Sequence, residues 1–117
     1  MNCKHLTVDG VQAIFIDYML PYGVASLYNA DGGRLPILVL LKHPTTRANQ
    51  AMLYVPKWFQ CDRGNPIHLN QPAQTQNLDA AGWKWACFIS GWNSDTHSGK
   101  ALIRLINKYF EGYPNTR

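Results

Sequence analysis

Two spacings of apolar residues divide this chain. Up to about Trp92 they come in short runs separated by Gly, Pro, Asn and Asp, the mark of strands and turns. From Gly99 onward they recur at intervals of three and four, the mark of a helix. The first turn signal is Asp9-Gly10 in HLTVDGVQAIFIDY. Asp-Gly between apolar segments suits a two-residue hairpin turn, which requires positive φ at both central positions. A rival reading makes Asp9 the N-cap of a helix from Val11 to Leu20, stopped by Pro21. The run Ile14-Phe15-Ile16 favours the strand.

A second turn, NADGGR (Asn29 to Arg34), separates GVASLY from LPILVLLKH and again reads as strand, turn, strand. HPTTRANQ then leads to AMLYVPKWF. The stretch from Gln60 to Ala81 is irregular, with one short extended segment expected around Ile67-His68-Leu69. GWKWACFISGW is the last strand.

LPILVLLKH constrains the architecture most. Ile37, Val39 and Leu41 fall on one side, Leu38 and Leu40 on the other, so both faces are apolar. A strand with one solvated face would alternate apolar with polar, so this one is central and covered on both sides. Only one clear helix is available, and it can cover one face. The second cover must be closure of the sheet into a barrel, the Gln60–Ala81 segment folded over, or another subunit. The expected fold is α+β: a mostly antiparallel sheet of five or six strands, barrel-like if it closes, with a C-terminal amphipathic helix packed on it. A single domain spans residues 1–117, since a chain of 117 residues supports one core and not two.

In the helix, Leu102, Leu105, Ile106 and Tyr109 centre the apolar face, flanked by Ala101, Ile103 and Phe110. Lys100, Arg104, Asn107, Lys108 and Glu111 occupy the opposite face. Asp95, Thr96 or Ser98 can cap the start, and Gly112 with Pro114 beyond it suits the end. The order strand, Gly-Lys loop, helix resembles a phosphate-binding loop only superficially. Ser94 stands where its first glycine belongs, and Ala101 stands where its metal-binding hydroxyl belongs. The loop therefore reads as a helix cap. Lys100, Arg104 and Lys108 still form a cationic stripe, and with Ser98 they are the candidate anion contacts.

Composition shifts this picture toward partners. Apolar residues make up 46% and charged residues only 15%, with nine Asn and six Gln but a single Glu. So sparse a charge favours contact with a partner, a second copy of the chain among them. The net charge of +4 is spread singly, with no basic block, and so argues only weakly for nucleic acid. Cys3, Cys61 and Cys87 are odd in number and match no disulfide framework, so the thiols are expected to be reduced and the protein cytoplasmic. No signal-peptide layout opens the chain, and its longest apolar run, Leu35 to Leu41, is interrupted by Pro36; no membrane association is expected.

Aromatics are the most unusual feature: four Trp, six Tyr and four Phe. Trp83 and Trp85 share a face with Lys84 opposite, and Lys57 adjoins Trp58. Tryptophans in a small sheet often fill the core, but these five residues are also the candidate ligand or partner surface. Aromatics interleaved with lysines suit single-stranded nucleic acid, provided Lys57, Lys84 and the helix stripe share one face beside exposed tryptophan. The pairs Cys3 and His5, Cys61 and His68, and Cys87 and His97 match no zinc spacing, so no metal and no cofactor is expected. A cysteine hydrolase would need Cys61 beside His68. The leading expectation is a non-enzymatic binding module for a protein or an apolar small ligand. A nucleic-acid binder is the alternative, and a small cysteine hydrolase the third reading.

Overall fold

The Asp9-Gly10 turn closes the first hairpin. In the computed structural model, which describes residues 3–23, 25–60, 72–89, 92 and 99–112 (backbone only at 87, 88 and 112), Asp9 has φ 53° and Gly10 φ 77°. Both are positive, as a type I′ turn requires. Strands β1 (Cys3–Val8) and β2 (Val11–Met19) flank it, paired from Val8 opposite Val11 to Cys3 opposite Ile16. A two-residue turn makes its closing pair a hydrogen-bonded one, so Val8, Leu6 and Lys4 bond inward to β2. The alternate residues Thr7, His5 and Cys3 then aim their backbone groups outward. The Gln12 carbonyl agrees with this phase: it turns away from β1 and accepts from the Leu41 N–H at 3.0 Å.

Three further strands, β3 (Arg34–Leu40), β4 (Met52–Pro56) and β5 (Trp83–Phe88), complete an antiparallel sheet in the order β1-β2-β3-β4-β5. Consecutive strands are neighbours throughout. Pro36 lies inside central β3, where a missing N–H is usually excluded. It is tolerated because the β3–β4 ladder covers only Leu38 to Leu40, and continuing that register would set Pro36 opposite Pro56, where neither can donate.

GVASLY is not a strand. Residues Ala25–Leu27 form one turn of 3-10 helix, and a second such turn, Asp31–Gly33, leads into β3. Among the described residues no strand lies beside Ala25–Leu27. Instead Tyr28 is buried, its ring stacked on Phe59 with centroids 5.0 Å apart, and its hydroxyl donates to the Phe110 carbonyl at 3.1 Å.

Both faces of β3 are covered, as its sequence requires. On one face Leu35, Ile37 and Val39 join Ile16, Leu53, Val55 and Ala86 beneath α2 (Gly99–Gly112). That helix contributes Leu102, Ile106 and Phe110, each at most 2% exposed. Lys100, Arg104, Lys108 and Glu111 are exposed, whereas Asn107 is half-buried and accepts from the Tyr18 hydroxyl. The helix is thus turned slightly from the face its spacing suggested.

On the other face Leu38 and Leu40 join Val11, Ala13, Met52 and Tyr54. The sheet does not close into a barrel: β1 and β5 are its two edges and do not pair. Its cover is a short helix, α1 (Gln76–Ala80), inside the stretch expected to be irregular. The Thr75 hydroxyl caps α1 by accepting from the Leu78 N–H at 3.2 Å, and Gly82 at φ 93° turns the chain out of it into β5. Leu78 is buried against this second core. The Thr75 hydroxyl and the Asn77 amide donate to Asp9 at 2.6 and 2.5 Å, and Lys57 pairs with Asp79 at 2.9 Å. A strap of one and a half turns therefore joins the two sides of the sheet where a strand pair does not. The expected segment around Ile67 and the caps at Asp95, Thr96 and Ser98 lie outside the described residues.

Among the described residues no helix is long and apolar enough to cross a membrane.

Candidate ligand-binding groove

Strand β1 extends beyond the sheet area that α2 covers. Period-two alternation puts Cys3 and His5 on the α2 side, because they lie opposite Ile16 and Ile14. A groove of about 780 Å³ results, within the range of small-molecule sites. Ile14 and Ile16 form its floor, with Leu41 and Trp92 beside them. Leu102 and Ile103 line it from the helix, and Cys3 and His5 from β1. Lys100 and Arg104, one helical turn apart, supply its cations. No carboxylate lines it among the described residues.

Toward its inner end the groove meets Asn107, which is fixed by Tyr18. The Tyr18 ring packs on Phe110 with centroids 5.6 Å apart. Burial, and secondarily the Glu111 charge, push its hydroxyl well above the ordinary tyrosine range, so it stays a neutral donor. This wall is set by the core. The cations nearer the start of the same helix are carried on exposed side chains.

The residues singled out from the sequence are distributed differently. Trp83 and Trp85 share a face, as alternation requires, but it is the α1 face, opposite the groove, where both are half-buried. Lys84 points the other way and is not a surface cation. It is 7% exposed, and its ammonium donates to the Phe59 carbonyl at 2.6 Å. Burial holds its pKa below the ordinary lysine value. Lys57 is engaged by Asp79. Trp58 is 49% exposed and meets Phe59 edge to face, and Phe59 in turn packs on Phe110 at the C-terminal end of α2. Lys57, Lys84, the helix stripe and the paired tryptophans therefore do not share one face. Trp92, the one tryptophan outside the candidate surface read from the sequence, is the tryptophan that lines the groove.

Of the candidate anion contacts, Lys100 and Arg104 line the groove and Lys108 lies exposed farther along α2, while Ser98 falls outside the described residues. So do Cys61, His68 and His97. Among the described residues no cluster of three His, Cys, Asp or Glu could hold a metal. By spacing alone His5 and Cys3 read only as a pair that matches no zinc site. The signal that could have placed them in a groove is their shared strand face.

No protein-family model, curated protein or solved structure matches this chain.

Proposed function

We propose that the protein is a non-enzymatic binding domain whose ligand is a small amphipathic anion, an apolar chain or ring ending in a carboxylate or a similar group. One observation carries this reading: an apolar groove with two adjacent cations and, among the described residues, no carboxylate in its lining. The apolar body lies along Ile14, Ile16, Leu41 and Ile103, and the anionic end meets Lys100 and Arg104. A second copy of the chain is the macromolecular partner that the sparse surface charge favours.

Magnitudes divide the work between the two halves of the ligand. Each buried methylene contributes about 0.8 kcal/mol, so a chain of several carbons supplies most of the affinity. Exposed cations contribute about 1 kcal/mol or less apiece, enough to choose a head group and not to hold a ligand alone.

Decanoate and decanol test the division, with binding followed by calorimetry. Decanoate is expected to bind more tightly than decanol. The double change Lys100→Glu with Arg104→Glu should weaken decanoate about ten-fold or more and leave decanol unchanged. Ile103→Arg should weaken both. Absence of binding by either compound, or an equal response of both to the charge reversal, would overturn the proposal.

A further inference from the structure

The loop between β3 and β4 meets the first hairpin at a second cavity, of about 420 Å³. Gly10 and Gln12 of the hairpin form one side, and Lys42, Arg47 and Asn49 of the loop form the other. Val11 and Leu41 are its apolar residues, and Leu41 also borders the groove.

The loop is bonded so as to hold Arg47 in place. The His43 N–H donates to the Ala48 carbonyl and the Arg47 N–H to the His43 carbonyl, both at 3.0 Å. Nδ1 of His43 accepts from the Thr45 and Thr46 N–H groups at 3.2 Å each, and the Thr46 hydroxyl accepts from the Ala48 N–H at 3.3 Å. The Leu41 N–H ties the start of the loop to the Gln12 carbonyl. Within this frame Arg47 has φ 63°, a left-handed conformation that residues with a side chain seldom adopt. Its guanidinium lies over Gly10, where a Cβ would sit 3.1 Å from Nη2 and 3.5 Å from Nη1. Gly10 thus serves the turn and also leaves room for the arginine. Backbone strain that the surrounding bonds maintain points to a use for the side chain it carries.

That use is not an internal ion pair. Lys42 and Arg47 are exposed, and neither pairs with a carboxylate among the described residues. The Asp9 charge feels Arg47 only as the weakest of the influences on its carboxyl. Its oxygens are engaged by Thr75 and Asn77, and Asp9 does not line the cavity.

We propose that this cavity binds a phosphate monoester of a small polyol. Arg47 supplies a planar fork of donors and Lys42 a point charge on a flexible stem, two geometries that a tetrahedral dianion accepts together. The amides of Gln12 and Asn49 supply further donors for phosphoryl oxygens, and acceptors for the hydroxyls of the ester. The volume exceeds that of a bare phosphate and falls within the range of small-molecule sites. With only Val11 and Leu41 apolar, the lining suits a hydroxylated body rather than the apolar one assigned to the groove. The site does not depend on what the groove takes.

Backbone N–H resonances of the whole chain, recorded at low salt as ribose 5-phosphate is added, test this. Saturable shifts are expected at Gly10, Gln12, Lys42 and Arg47, half complete at about 1 mM. Added salt should weaken them, and ribose alone should cause none. Lys42→Gln, an exposed change, should weaken binding several-fold. Arg47→Gly should weaken it about ten-fold or more, with a melting temperature no lower than that of the wild type, because glycine accepts the positive φ. Absence of a saturable shift by about 20 mM would overturn the proposal. So would shifts confined to Lys100 and Arg104, or binding that survives both substitutions. A lower melting temperature for Arg47→Gly would also overturn it, since the arginine would then be held for the fold.

Discussion

Phe15 and Trp83 meet edge to face with ring centroids 6.2 Å apart, although their strands lie three places apart in the sheet. Three strand spacings amount to about 14 Å, more than two leaning side chains can close across a flat surface. The sheet therefore curls toward the α1 face. The contact is worth about 0.5–1.5 kcal/mol beyond the area it buries, so a cycle of Phe15→Leu, Trp83→Leu and the double variant should return a coupling of that size in urea unfolding. A flat sheet would return a coupling near zero.

Asp9 joins the hairpin turn to α1 through Thr75 and Asn77, and these hydrogen bonds hold its carboxyl below the ordinary value of 3.8. A depressed carboxylate stabilises the fold above its unfolded pKa, and the contribution is lost as pH falls through the folded one. Asp9→Asn keeps a residue that tolerates the positive φ and removes the charge. The variant should be less stable near neutrality, and its stability should fall less steeply than that of the wild type below about pH 4. Acid unfolding followed by circular dichroism reads both slopes.

Lys84 gives a slope of the same sign at the alkaline end of the scale, from burial rather than from hydrogen bonds. Its folded pKa is lowered by burial, so between that value and the ordinary 10.5 the unfolded chain binds more protons than the folded one. Stability contributed at this site therefore rises with pH across the window. Lys84→Met should abolish the rise. It also leaves the Phe59 carbonyl without its donor, which holds the net gain near neutrality to less than a clean apolar replacement would give. Urea unfolding of both proteins at a series of alkaline pH values separates the two effects.

Tyr54 sets a limit on the same experiment. Its hydroxyl donates to the Gln74 side chain, and burial, against a backbone hydrogen bond from Gln74 and together with the Asp9 charge, pushes its pKa up to about 12. The unfolded tyrosine ionises first, so stability falls as pH rises above the ordinary value of 10.0. Absorbance near 295 nm should show this tyrosine and Tyr18 titrating together with unfolding rather than before it.

Phe110 is fully buried and touches the rings of Tyr18, Tyr28 and Phe59. Phe110→Ala should cost about 3–5 kcal/mol, a large share of what a domain of this size possesses. Phe110→Leu should cost much less, and the ratio measures how far the four-ring cluster can collapse.

What the sequence disclosed depended on how local the deciding physics was. Asp9-Gly10 could be read because positive φ at two successive positions restricts residue type within the turn itself. The two-faced run Leu35 to Leu40 could be read because alternation reports covering directly. GVASLY could not, since β-prone residues form a strand only where a partner strand is available, and among the described residues none lies beside Ala25–Leu27. Helix α1 is too short to show a period, and only Thr75 and Gly82 marked its ends. The groove depends on how far α2 stops short of β1, a tertiary distance that leaves no trace in spacing. Lys84 was misread for a related reason: alternation gave its side correctly but not the depth of the core on that side.

The order of the elements also has a consequence during synthesis. All five strands precede α2 in the chain, and each pairs with its sequence neighbour, so the sheet can zip up hairpin by hairpin as it leaves the ribosome. Leu102, Ile106 and Phe110 arrive last. At usual elongation rates the stretch from Phe88 to Gly112 takes about one to five seconds. For that interval the larger apolar face of a nascent sheet stands open to water, to chaperones and to neighbouring chains.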